Sequence, residues 1–240
     1  MARSVLLNNV QHKDLRIVTR RGAAYGDDVM SAVAFPAEFR NLQAHYPIVF
    51  QKSGDAVGFQ PVALLGLQEG RNLFLDGRGG WDAPYVPMAI ERLPFLIGAD
   101  GDQLLVHVDL DSPRIVGPGG DDGEAVFLPH GGNSAFLDRV NSLLLAIHEG
   151  LQATPAFVDA LLRHELLESF VLDVTLDDGS QSRLAGYYTV DEDRLAALGS
   201  AALAELHAAG HLMPVYMALA SMSRWRDLIE RQQRLPRSAA

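Results

Sequence analysis

The chain has 240 residues, 48% hydrophobic and 21% charged, with no cysteine and a formal net charge of −10. That composition excludes a disulfide-stapled mini-protein and a disordered polyelectrolyte, and it removes thiolate nucleophiles, Cys-type zinc sites and iron–sulfur clusters. Thirty acidic residues against twenty basic ones repel phosphate backbones and anionic membranes, so nucleic acid is not an expected partner.

The first ten residues carry only the short apolar triplet Val5-Leu6-Leu7, too little for a signal-peptide core. No window reaches the roughly 18 apolar residues that span a bilayer. The expected location is the cytoplasm, with no membrane span.

Eighteen of the 22 glycines and nine of the 12 prolines lie at or before Gly150, so the two parts of the chain are expected to differ. In the first, apolar runs at Tyr46–Phe50, Val62–Leu67, Asn72–Leu75, Phe95–Ile97, Leu104–Leu110 and Ala125–Leu128 are separated by Gly, Pro and Asp clusters. These predict strands and tight turns, with Asp76–Gly80 and Gly117–Gly123 as loops. After Gly132 the spacing becomes helical. Phe136, Leu137, Val140, Leu144 and Ile147 form one stripe, and His148-Glu149-Gly150 reads as its C-terminus. Thr154-Pro155 predicts the start of a second helix.

Leu172–Leu176 and Ser182–Val190 flank Asp177-Asp178-Gly179, a hairpin signal. Thr189-Val190-Asp191-Glu192 reads as a capping box for a further helix. Helical segments at about Ala201–Ala209 and Pro214–Gln233 complete the chain. The expected class is α+β: an antiparallel-rich sheet in the N-terminal part packed with a helix-rich C-terminal part. Residues 1–240 are expected to form a single compact unit, with a strand- and loop-rich part at 1–132, a helix-rich part at 133–240 and a hairpin near 172–190.

Three constellations bear on chemistry. His107-Val108-Asp109 sits in a predicted strand, where residues two apart share a face. With His148 or His164 as a third ligand this is the make-up of a facial iron triad, and Arg183 or Arg194 would anchor a 2-oxo acid. The competing reading, which carries more weight, is that Asp109 opens the turn Asp109–Pro113. His164 and Glu168 stand four apart, as do His207 and His211, with Gly210 ending the helix before the latter; both pairs are read as capping or surface groups. Asp121, Asp122 and Glu124 lack the spacing of an EF-hand and are read as a solvated loop.

Trp81-Asp82-Ala83-Pro84-Tyr85-Val86-Pro87 braces two aromatic residues with two prolines. A stiff aromatic surface binds peptide with little entropy left to lose. Trp81, Asp82, Tyr85, Arg92 and Phe95 are therefore the expected peptide- or partner-binding set, against the alternative that Trp81 and Tyr85 cover the sheet. Met213, Met217 and Met222, with Tyr216 and Trp225, form a stripe at helical spacing that is expected to pack as core.

Several words of this sequence together resemble the bacterial SapC family, a group labelled as S-layer-associated. They are Tyr46-Pro47-Ile48-Val49-Phe50, Ala63–Leu67 leading to Asn72-Leu73-Phe74, Gly80–Pro87, Arg92-Leu93-Pro94-Phe95, Gly186–Asp191 and Leu219-Ala220-Ser221. The similarity runs from about Tyr46 to Arg231. The chain departs from the family pattern at Ala218, where a His is common, and at His107, where the family often has another residue. The resemblance brings no known cofactor and no assigned catalytic residue. It implies an intracellular protein whose gene accompanies those of flavin-dependent halogenase-like enzymes, cupin-like enzymes and TonB-dependent receptors, so that the expected partner is a peptide or protein: one of these enzymes or a segment of such a receptor. The expected function is that of a non-catalytic binding or accessory protein presenting a peptide or protein to partner enzymes, without cofactor. The alternative is an iron- and 2-oxoglutarate-dependent oxygenase built on His107, Asp109 and His148.

Overall fold

The computed structural model describes residues 4–53, 58–101, 103–117, 119–175 and 181–234. Among the described residues the strands follow in order as β1 (Ser4–Leu6), β2 (Arg16–Ile17), β3 (Ser31–Val33), β4 (Ile48–Lys52), β5 (Phe59–Leu64), β6 (Phe95–Asp100), β7 (Gln103–Asp109), β8 (Glu124–Ala125), β9 (Leu167–Thr175) and β10 (Gln181–Val190). The helices are α1 (Phe39–Leu42), α2 (Met88–Glu91), α3 (Ala135–Arg163), α4 (Glu192–Ala196), α5 (Ser200–Ala208), α6 (Leu212–Ser221) and α7 (Trp225–Gln233). The fold is α+β, its strand pairs antiparallel. No helix among the described residues is long and apolar enough to cross a membrane.

Contacts divide the chain into two units: residues 1–28, 75–82 and 88–149, and residues 29–74, 83–87 and 150–240. The first holds a three-stranded sheet in the order β1-β7-β6 and the small pair β2-β8. Phe95 faces Val108 in the β6–β7 register. Both are buried in a cluster with Ile17, Val126, Leu137, Val140 and Leu144, the last three being the apolar stripe of early α3.

Beside this apolar core Arg114 is 1% exposed and Asp27 fully buried. One guanidinium nitrogen, Nη2, donates to both carboxylate oxygens at 2.5 and 2.6 Å, and Nη1 donates to the carbonyls of Val18 and Arg20 at 3.0 and 2.9 Å. The backbone N–H of Gly22 adds a bond to Asp27 Oδ2 at 2.9 Å. A charge taken out of water is tolerable when its partners are supplied in this way.

The second unit holds the five-stranded sheet β3-β5-β4-β10-β9. Central β4 buries Ile48, Val49 and Phe50 in succession, as a strand covered on both faces must. Phe157 of α3 meets Phe50 at 6.4 Å and Phe39 edge-on at 5.9 Å. The hydroxyl of Ser221, at the end of α6, accepts from Ile48 N at 2.8 Å and donates to the Ala218 carbonyl at 2.5 Å. Strands β9 and β10 pair from Leu167↔Val190 to Thr175↔Gln181, with an irregularity between Leu184 and Tyr187; Asp177-Asp178-Gly179 lies outside the described residues.

Five local expectations are corrected. The helix expected to end at Gly150 continues through Pro155 as one 29-residue helix. A Cβ at Gly150 would stand 2.7 Å from the Phe35 ring, so this glycine permits a close approach and does not stop the helix. Thr154 is no N-cap there: its Oγ1 donates back to the Gly150 carbonyl at 2.6 Å. Asn72–Leu75 forms turns and a single bridge to Trp81 instead of a strand. The cap of α4 is Asp191, whose carboxylate accepts from Arg194 N at 2.9 Å, while Thr189 belongs to β10. Finally, His164 and Glu168 do not share a helix face, because α3 ends at Arg163, Glu165 takes a left-handed φ of 53°, and Glu168 is in β9.

Candidate functional site

The aromatic segment is anchored more than it is displayed. Trp81 is half-buried and bridges Leu75, closing a turn in which the Asp76 carboxylate accepts from Arg78 N at 2.7 Å and Gly80 N at 2.8 Å. The Gly80 amide, followed by that of Arg78, holds the Asp76 carboxyl below its ordinary value. Asp82 is exposed. Half-buried Tyr85 donates to Glu38 Oε2 at 2.9 Å, and its carbonyl accepts a short bond from the Tyr46 hydroxyl. Burial, reinforced by the Glu38 carboxylate, pushes the Tyr85 phenol well above its ordinary value, so the ring serves as a neutral donor within the second unit.

Arg92 donates Nη1 to the Phe95 carbonyl at 2.7 Å, and burial lowers its pKa. Phe95 is fully buried and packs on Phe136 at 6.0 Å. Phe95 is thus a core residue and no rim of a binding surface, and Arg92 is turned to the backbone. The reason is the β6 register, which points Phe95 with Val108 into the apolar cluster.

His107 and Asp109 share a face of β7, opposite buried Val108. Asp109 Oδ1 accepts from Asp111 N at 3.1 Å and its carbonyl from Ser112 N at 3.3 Å, which makes it the opener of the following turn. The space over Gly98 is taken by His107, whose Nε2 would stand 3.1 Å from a Cβ there. His148 is half-buried in the middle of α3. Among the described residues no three His, Asp or Glu side chains come together as a metal would require.

The stronger site was read in the sequence as core. In the second unit a cavity of about 470 Å³ is bounded by Pro36 and Ala37 ahead of α1, Ala153 and Phe157 of α3, and the α5–α6 turn with Met213 and Met217. This lies within the roughly 300–1,000 Å³ of small-ligand sites. The turn arises from the sequence in a direct way. Gly210 takes a left-handed φ of 74°, Gly210 N donates to the His207 carbonyl at 3.0 Å, and His211 N donates to the Leu206 carbonyl at 2.8 Å. These are the paired bonds of a Schellman stop. It ends α5 and starts α6 with His211 and the first turn of α6 in the cavity wall.

Met213 and Tyr216, expected in the core, are 56% and 50% exposed, and Met213 lines the cavity with Met217. The cavity's ionisable lining is Arg40, His207 and His211, without an Asp or Glu. Nη2 of Arg40 donates to the Met213 sulfur at 3.0 Å. His211 leans edge-on against Phe157 at 5.6 Å; burial, then the charge of Arg163, lowers its pKa, and its Nδ1 is buried without a hydrogen-bond partner among the described residues. A second cavity of the same unit, about 270 Å³, is lined by Phe35, Phe59, Val158 and Asp159 among others; it is smaller and carries no cation.

Most of the words that carry the family resemblance fall in this unit, while Gly80–Asp82 and Arg92–Phe95 belong to the first. Tyr46 reaches the Tyr85 carbonyl and packs on Phe74 at 4.6 Å, Ile48 bonds Ser221, and Phe50 faces Tyr188 across β4 and β10. These segments therefore hold the fold together. No curated protein and no solved structure matches the chain. The SapC family model matches residues 7–228, nearly the whole length, and the chain belongs to the SapC family.

Proposed function

We propose that this protein is a non-catalytic binding protein that holds a peptide or protein segment for partner enzymes, and that the holding element is the cavity at the start of α6. One observation carries this reading: apolar walls open beside Met213, a large side chain of the lining left half in solvent. Methionine is unbranched and polarizable, so a Met-lined opening adapts to a partner's side chains. Tyr85, Arg92 and Phe95 serve the fold. Halogenase-like and cupin-like enzymes and segments of TonB-dependent receptors, implied by the family resemblance, are the partners to try first.

The test is a titration of the full chain, labelled at its methionine methyl groups, with a panel of short apolar hexapeptides. Saturable shifts at Met213 and Met217 are expected, with Met222 unmoved. Methyl resonances that stay in place at millimolar peptide would overturn the reading.

A further inference from the structure

The cavity's charge is at odds with the chain's. The protein carries a net charge of −10, yet the ionisable side chains around this cavity are an arginine and two histidines. Arg40 is exposed and gives the Met213 sulfur its described bond. A thioether is a weak acceptor, so the fork that pairs best with a carboxylate is not engaged by one among the described residues. The neighbouring acid, Glu205, is occupied elsewhere: it takes a short ion pair from Arg163, and His164 Nε2 lies 3.5 Å from its Oε2. The first turn of α6 lies in the same wall, adding the positive end of its dipole.

The walls also limit how a chain can enter. Pro36 and Pro214 line the cavity and have no N–H to offer. A peptide threaded past these two residues would leave the carbonyls beside them without a donor, at a cost of about 1–3 kcal/mol for each such group. A chain end places one residue's backbone inside and brings its own charge within reach of the rim.

Building on the binding role proposed above, we propose that the cavity captures the C-terminus of a peptide: an apolar final side chain seats against Phe157 and Met217, and the free α-carboxylate is met by Arg40. Carboxylate capture of this kind supplies specificity through one charged group and one pocket.

The test uses three probes on the full chain by calorimetry: N-acetyl-Gly-Ser-Gly-Ser-Leu-Phe with a free carboxylate, the same peptide amidated, and decanoate. The free acid is expected to bind at least about tenfold tighter than the amide, the measure of a hydrogen bond to a charged group. Arg40→Gln is expected to abolish that preference and Arg40→Lys to retain part of it; both changes fall on an exposed side chain and leave the fold intact. Equal binding of acid and amide would overturn carboxylate capture while leaving the peptide-binding role standing. Binding of neither peptide would overturn both. Decanoate binding as tightly as the free-acid peptide would overturn the peptide as occupant in favour of a free acid.

Discussion

In the first unit Arg114 and Asp27 are sealed from solvent and paired with one another, with bonds added by the Val18 and Arg20 carbonyls and the Gly22 amide, while Arg114 Nε is buried without a partner among the described residues. In the second unit Arg40 stands in solvent against a methionine sulfur, and His211 Nδ1 is buried without a partner among the described residues. A buried ion pair is a structural device, because removing either partner leaves a stranded charge. An unsaturated polar group beside an apolar cavity is available to a ligand. Charge density alone would have pointed to the first unit. The state of pairing points to the second.

The largest effect that tests this contrast is on the pin of the first unit. Asp27→Ala is expected to lower unfolding free energy by about 3–5 kcal/mol, the cost of leaving a buried cation unpaired, as read by urea denaturation. A loss under about 1 kcal/mol would mean that the pair is not the fixed element described here.

A smaller effect is expected where α3 meets Phe35 in the second unit. Alanine is the better helix former by about 1 kcal/mol, yet the Cβ of Gly150→Ala would collide with the Phe35 ring at 2.7 Å. Overpacking of this kind costs about 1–3 kcal/mol, so a net loss is expected. Net stabilisation would show that Phe35 yields easily and that propensity governs the site.

The smallest effect is a pH dependence in the second unit. His211 and His45 are both held below the ordinary 6.5, chiefly by burial and then by nearby arginine charge. Each pKa is depressed in the fold, so its contribution to stability is present above the unfolded value and is lost as pH falls through the folded one. Urea midpoints are expected to decline from about pH 7 to about pH 5, and the double variant His45→Gln, His211→Gln to show a shallower decline. Equal slopes for the two proteins would remove these imidazoles from the account.

Much of the fold was legible in the sequence. Alternation and turn residues located strands such as β4, β5, β6 and β7, and the stripe Phe136–Ile147 located the first half of α3. The misreadings at Gly150 and Thr154-Pro155 share a cause: residues that end or begin helices locally were overruled by a tertiary contact, Phe35 against Gly150. The site was far less legible. Its wall comes from residues 36–40, 153–157 and 207–217, which no local pattern connects, and Arg40 is one of eighteen arginines. The one available signal was the methionine stripe with Tyr216. Helical spacing shows that such residues share a face but not whether that face is covered. For Met213 and Tyr216 it is left open.

The central claim is most directly tested by closing the cavity. Ala153 is exposed on its wall, so Ala153→Trp is expected to fill the opening without a change in thermal midpoint. Titrated with a hexapeptide that binds the unaltered protein, this variant is expected to lose at least about tenfold in affinity, as blocking a central contact does. Undiminished affinity at an unchanged midpoint would contradict the account, placing the binding surface elsewhere on the molecule.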